Sequence, residues 1–421
     1  MTMKPSRIQH GIYKNLPNDT IYNSQAGCVI FAIGVAFKLS TAPSVISELY
    51  GSSTLLVYLI SSAVELILSF FVFAFVRNQS DGILRATGNK FYKICCAACA
   101  VWLIAKGTFY FCYCAAYLAH EQFGGVEPAL FYLLLLSPIV YLGIKGSRAI
   151  FRTSEIFVPV FATLIVLNLV FLETDLDIGR NLPMFSLEPK DFFANLPRYG
   201  LWLGDVIPFA FLRIKNKRMP YVAAGFTVTF ALVNIIVFLG VAIYGDALKV
   251  VTDLLIRIAG FNQLSMDIGR MEWTNLFAVI ALSIISLSFI FYGCTAATER
   301  AIGFSLPAKI LFPVVVAASA LFAQSSQAVA QFSVDIAGYA MSAIAIIIPI
   351  AFFLTGAYAR KRYAGFYKHM GDEFSPHPPL RPDPPDSLAD NVLAGMKEEA
   401  EQTQTVLQNG SLQPETQEEQ Q

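Results

Sequence analysis

Four ionisable side chains stand inside runs that are otherwise apolar: Lys38, Glu65, Lys106 and Asp205. Two acids and two bases in such surroundings can do one of two things. They can relay a proton or meet the charges of a substrate, or they can pair with one another and hold helices together. Glu65–Lys38, Glu65–Lys106 and Lys38–Asp205 pairs are all compatible with the sequence. Ser283 and Ser286 share a helix face at i, i+3 spacing. Hydroxyls so placed either join the carbonyls of a neighbouring helix around a sodium ion or pack between helices. No nucleophile–base constellation accompanies these residues. His10, His120, His369 and His377 lie outside the apolar runs, and nothing matches G-x-x-x-x-G-K-[ST]. Enzymatic chemistry, a cofactor and ATP-driven transport are therefore not expected, nor is a nucleic-acid partner. Cys95, Cys96 and Cys99 contain a C-x-x-C, but with no second ligand pair they read as small packing residues, and no metal site is expected.

The elements that must position the charges are unusual. Residues 22–49 form an apolar run interrupted by Gly34, Lys38 and Pro43. Glycine weakens a helix, proline removes a donor, and a mid-depth lysine costs roughly 2.5–3.5 kcal/mol on insertion scales. This predicts a broken span with halves of 22–33 and 39–49. The run 192–214 repeats the grammar with Gly200, Gly204, Asp205 and Pro208. Interrupted spans at corresponding places in two halves mark transporter-type sites. The second stands five spans after the first, so the halves enter the membrane from opposite sides. Gly34, Val35 and Lys38 on one break, and Gly200, Gly204 and Asp205 on the other, are the expected ligand-binding residues. Glu65, Lys106, Ser283 and Ser286 are the candidates for ion or proton coupling.

Composition agrees with a membrane setting. Of 421 residues 55% are hydrophobic and only 14% charged, against about 25% charged in soluble domains. Ten spans are expected, at 22–49, 53–76, 94–119, 128–144, 153–172, 192–214, 219–244, 273–296, 306–323 and 334–358. The fold class is all-α, a 5+5 inverted repeat with spans one and six broken. Residues 246–271 alternate charged and apolar positions and read as an amphipathic helix at an interface. Lysine and arginine gather in alternate loops: Arg77 to Lys93, Lys145 to Arg152, Arg213 to Arg218, Arg300 with Lys309, and Arg360 to Arg362. Acids gather in the others, at Glu48, Glu121, Glu127, Glu173, Asp175 and Asp177. This sorting predicts both termini in the cytoplasm. The first 20 residues hold no apolar stretch, so the first span is the expected targeting element. Three parts follow: a cytoplasmic segment 1–20, a membrane domain 21–365, and a tail 366–421. The tail is proline-rich from His377 to Pro385 and then rich in Gln and Glu, which predicts disorder.

Three stretches carry a family resemblance. They are Ile33-Gly34-Val35 through Pro43 to Tyr50-Gly51, then Gly146 through Arg152 and Glu155-Ile-Phe to Pro159, and Gly269-Arg270-Met-Glu272; Asn181-Leu-Pro183 fits as well. Together, over residues 20–365, they resemble the spore germination permease family, the B-type subunits of nutrient germinant receptors, within the amino acid–polyamine–organocation superfamily. Arg152, Glu155, Arg270 and Glu272 are the residues that match its motifs. The resemblance implies a multi-pass protein of the cell membrane or spore inner membrane. It would bind a small nutrient such as an amino acid at the breaks, beside an A-type and a lipid-anchored C-type subunit. The alternative is an H⁺- or Na⁺-coupled amino acid or amine transporter.

Overall fold

The computed structural model describes residues 20–362, apart from 41, 78–80, 82–83, 86–87, 124–127, 173, 175, 183–187, 215–219, 262–271, 322–328, 330 and 332–336. The membrane unit runs to residue 359, and 360–421 form a separate unit. The expected tail lies outside the described residues.

The first span comes as two helices on either side of residue 41, which lies outside the described residues, and its glycine and lysine do not interrupt the first of them. Helix α1 runs unbroken through Asn23–Ser40, and α2 starts at Ala42 and ends at Tyr50. Gly34 is mid-helix, and Lys38 lies in the last turn of the first half. The interruption belongs to Pro43. It has no N–H to offer the carbonyl of Leu39, and its fixed φ suits the first turn of a new helix. Gly34 serves another purpose. A Cβ there would stand 2.2 Å from Thr229 Cγ2, and one at Gly27 would stand 2.7 Å from the carbonyl oxygen of Tyr221. Both glycines let α1 lie against α8 (Pro220–Tyr244).

A turn at Gly51–Ser53 leads into α3 (Thr54–Arg77). The long α4 (Lys90–Ala116) is capped by Asn89, whose side chain accepts from the Tyr92 amide, and continues as a wider turn through Tyr117–Gln122. Then come α5 (Pro128–Lys145) and α6 (Ser147–Val170), joined at Gly146, whose φ of 88° needs glycine.

The sixth span departs furthest from a regular helix. Helix α7 (Pro189–Asn195) tightens into 3₁₀ turns over Leu196–Trp202. Leu203 to Val206 are irregular, with Gly204 at φ 74°, and Ile207–Phe211 is again 3₁₀. The expected second break is present, and the segment beyond it is not α-helical. After α8 a turn (Gly245–Val250) and the short α9 (Leu254–Ala259) precede α10 (Glu272–Ile302), α11 (Leu306–Ala320) and α12 (Gly338–Arg362).

The expected interfacial helix at 246–271 is corrected by this arrangement, as far as it is described. Leu254, Leu255, Ile256, Ile258 and Ala259 are all buried. Asp253, at the left-handed φ of 54°, donates its amide to the Ser40 carbonyl at 3.2 Å. Residues 253–259 are docked on the end of α1 through this bond and packed against α10 rather than floating at a surface.

Six helices among the described residues are long and apolar enough to cross a membrane, and residues 129–145 and 306–320 are shorter apolar helices. Fifteen residues of α11 reach about 22 Å at 1.5 Å per residue, short of a core of about 30 Å. With the two broken spans these segments follow the expected order, and the chain is a polytopic all-α membrane protein. The described strands are two-residue pieces: β1 (Thr20–Ile21) pairs in parallel with β2 (Arg213–Ile214). The start of span one is thereby tied to the end of span six.

Candidate functional site

The four charges meet at the sixth-span break. Lys106 and Glu65 are 0% and 1% exposed, Lys38 and Asp205 5% each. Helix α4 aims Lys106 Nζ at Asp205 Oδ1, 2.6 Å away, and at the Leu203 carbonyl, also 2.6 Å. Lys38, from the last turn of α1, places its Nζ 3.7 Å from Asp205 Oδ2 and 5.4 Å from the centre of the Phe230 ring. Asp205 thus stands between two ammoniums, with the shorter contact to Lys106. The Lys106–Asp205 pair was not among the three the sequence suggested.

Glu65 meets the backbone of the same break. Its carboxylate accepts from the backbone amides of Gly204 at 2.8 Å and Asp205 at 3.1 Å. These amides belong to the irregular turn, which gives them no helical partner. A carboxylate from α3 supplies one, and a charge-assisted bond of this kind is stronger than a neutral one. Gly204 itself is required: its φ is positive, and a Cβ would stand 2.9 Å from Ile207 and 3.0 Å from Trp102.

The carbonyls of the breaks are served by tyrosines that sequence reading missed. Tyr58 donates to Lys38 at 2.7 Å, Tyr113 to Ser40 at 2.9 Å, and Tyr110 to Leu201 at 3.1 Å. A signal existed. Tyr110 and Tyr113 follow Lys106 at i+4 and i+7, and Tyr58 precedes Glu65 by seven, so each tyrosine shares the charged face of its helix.

The remaining expected site residues divide. Val35 is buried within α1. A Cβ on Gly200 would meet the Ser342 backbone at 2.2 Å, so this glycine admits α12 rather than a ligand. Ser286 donates to the Leu282 carbonyl of its own helix at 2.7 Å, and Ser283 accepts a weak bond from Cys114 at 3.6 Å. Arg152 is exposed, and Glu155 accepts from Gln25 at 3.0 Å and Ser24 at 3.4 Å, joining the starts of α1 and α6. Glu272 opens α10 and helps line a cavity of about 400 Å³ with Tyr244, Arg257 and Phe261. Arg270 lies outside the described residues.

A second charged centre, also missed, sits near the β1–β2 end. Arg300, which reads as a loop charge, is buried at the end of α10. It grips Asp81 with two bonds of 2.9 and 2.8 Å and donates to the Phe211 carbonyl at 3.0 Å. Tyr92 donates to the same aspartate at 2.6 Å. The group ties α4 and α10 to the end of span six.

No protein-family model matches the chain, and no curated protein matches its sequence. Solved structures do resemble it. One is a substrate-bound, outward-open Na⁺-coupled sialic acid symporter, with a TM-score of 0.50 and 13% identity over 83% of this chain and 84% of the other. Another is MhsT in complex with L-phenylalanine, with a TM-score of 0.50 and 14% identity over 80% of this chain and all of the other. At such identities the likeness is one of architecture: the chain has the fold of these membrane transporters.

Proposed function

We propose that this chain is a secondary transporter of a small zwitterionic solute, which it binds between the two helix breaks. The observation that carries the reading is the balanced cluster at the sixth-span break, where Lys38 and Lys106 face Asp205 and Glu65 caps the broken backbone. Two ammoniums balance two carboxylates, so a solute without net charge leaves the buried balance unchanged. Lys38 has the longer contact to Asp205 and is the group most readily turned toward a carboxylate. Asp205 would take the ammonium. The solved relatives in fold carry sialic acid or hold L-phenylalanine, which agrees with a small solute bearing a carboxylate. The test is uptake of labelled amino acids by proteoliposomes containing the purified chain. Concentrative, saturable uptake driven by an imposed ion gradient is expected, and its absence across the amino acid set would reject transport.

A second reading is favoured by the motif from Gly146 to Pro159 and by the site being filled with the chain's own charges. In it the protein is a sensing subunit of a nutrient germinant receptor, working beside A- and C-type partners. Deletion should then abolish germination by one nutrient while proteoliposomes show no uptake.

Both readings place the two termini in the cytoplasm. A cysteine introduced at the half-exposed Asp177 should react with an impermeant maleimide applied to intact cells, and one at Arg360 should not. The opposite pattern would invert the topology.

A further inference from the structure

We infer that Lys106 is the resident cation of the sixth-span break: its tethered ammonium stands where a soluble cation would bind, and the protein works without Na⁺. The inference deepens the transporter reading by naming what replaces the coupling ion that the sialic acid symporter uses.

The argument starts from what a broken membrane helix offers. Carbonyls at the C-terminal end of its first half lose their helical donors and become natural cation ligands. In this chain the relevant carbonyl is that of Leu203, at the end of the Leu196–Trp202 turns. Its partner is Lys106 Nζ at 2.6 Å. The same nitrogen lies 2.6 Å from Asp205 Oδ1, 4.8 Å from the centre of the Trp102 ring and 5.4 Å from that of Tyr110. A carbonyl, a carboxylate and two aromatic faces form a cation seat, and a side chain fixed to α4 fills it. The carbonyl of Leu201, two residues earlier, is taken by the Tyr110 hydroxyl.

A sodium ion does not fit beside this arrangement. At this break its carboxylate ligand would be Asp205, the one not already engaged by backbone amides, and both ammoniums already face Asp205. It would also add a third positive charge to a buried group whose charges now balance. Helix α10 with Ser283 and Ser286 packs against α1, which carries one of those ammoniums.

The test is thermal unfolding of the purified full-length chain in detergent, in NaCl, KCl and choline chloride at matched ionic strength. A ligand that binds only the folded state raises Tm with its concentration. The wild-type Tm should be the same in all three salts. Lys106→Ala vacates the seat while leaving the Leu203 carbonyl and Asp205, and its Tm should rise with Na⁺ relative to choline. A wild-type Tm that rises with Na⁺ overturns the inference. So does a Lys106→Ala protein that unfolds cooperatively and is indifferent to all three cations. Should that variant not fold, binding of ²²Na⁺ to the wild-type protein decides: saturable binding overturns the inference, and none supports it. The outcomes separate from those of the uptake experiment. Na⁺-driven uptake would keep transport and reject the resident cation, whereas no uptake with a cation-indifferent Tm would do the reverse.

Discussion

Asp205→Asn should remove most of the folded protein from the membrane. The substitution keeps the shape of the side chain and deletes its charge. Lys106 and Lys38, 2.6 and 3.7 Å from the carboxylate, would then face each other, with Glu65 still committed to the amides of Gly204 and Asp205. Stranding one partner of a buried pair costs about 3–5 kcal/mol, a large share of a total stability of about 5–15 kcal/mol. Replacing Lys106 as well, in Lys106→Met/Asp205→Asn, should restore accumulation, because the remaining buried charges, Lys38 and Glu65, are again balanced. Detergent-extracted yield and Tm of the single and double variants measure this. Wild-type yield and Tm in Asp205→Asn would show that the cluster contributes nothing to the fold.

Gly34→Ala should destabilise the protein, and Thr229→Ala should suppress the defect. The added methyl would meet Thr229 Cγ2 at 2.2 Å, a distance that α1 or α8 must move to relieve. Overpacking of this kind costs about 1–3 kcal/mol. Removing Cγ2 leaves Thr229 Cβ as the nearest of that residue's atoms, at 3.6 Å, an ordinary contact. A residue that shapes a ligand site behaves differently, since trimming a threonine on α8 would not restore it. The check is the Tm of both single variants and the pair. Additive losses in the pair would refute the packing role.

These two residues also mark how far the sequence could be read. The charges announced themselves, because an ionisable side chain in an apolar run always needs a reason. Gly204, Asp205 and Pro208 were legible as a break because the same few residues hold all its causes. Gly34 misled for the opposite reason. A glycine that admits a neighbouring helix looks the same as one that breaks its own, and the difference lies in Thr229, far away in the chain. Pro43 carried the true signal for the first break, since its missing donor acts locally. The Lys106–Asp205 pair depends on how α4 is rotated relative to span six, which periodicity alone does not set. Arg300 was misplaced because a charge near a helix end reads as solvated until its partner, Asp81, is known.

The hold of Glu65 on the sixth-span amides also sets a threshold for any solute that uses them. Amides at the start of a half-helix are where such folds receive a substrate carboxylate, and here an internal carboxylate already occupies them. A solute seeking those amides competes with a tethered group that never dilutes away. Its apparent affinity falls by the fraction of time Glu65 is displaced. If displacement costs one charge-assisted bond, about 1.5–3 kcal/mol, occupancy is shifted to concentrations about ten- to a hundredfold higher. On the proposed transporter function, a solute carboxylate that turned to these amides instead of to Lys38 would meet the α3 carboxylate as a concentration filter, scarce solute leaving the break closed on itself and abundant solute opening it.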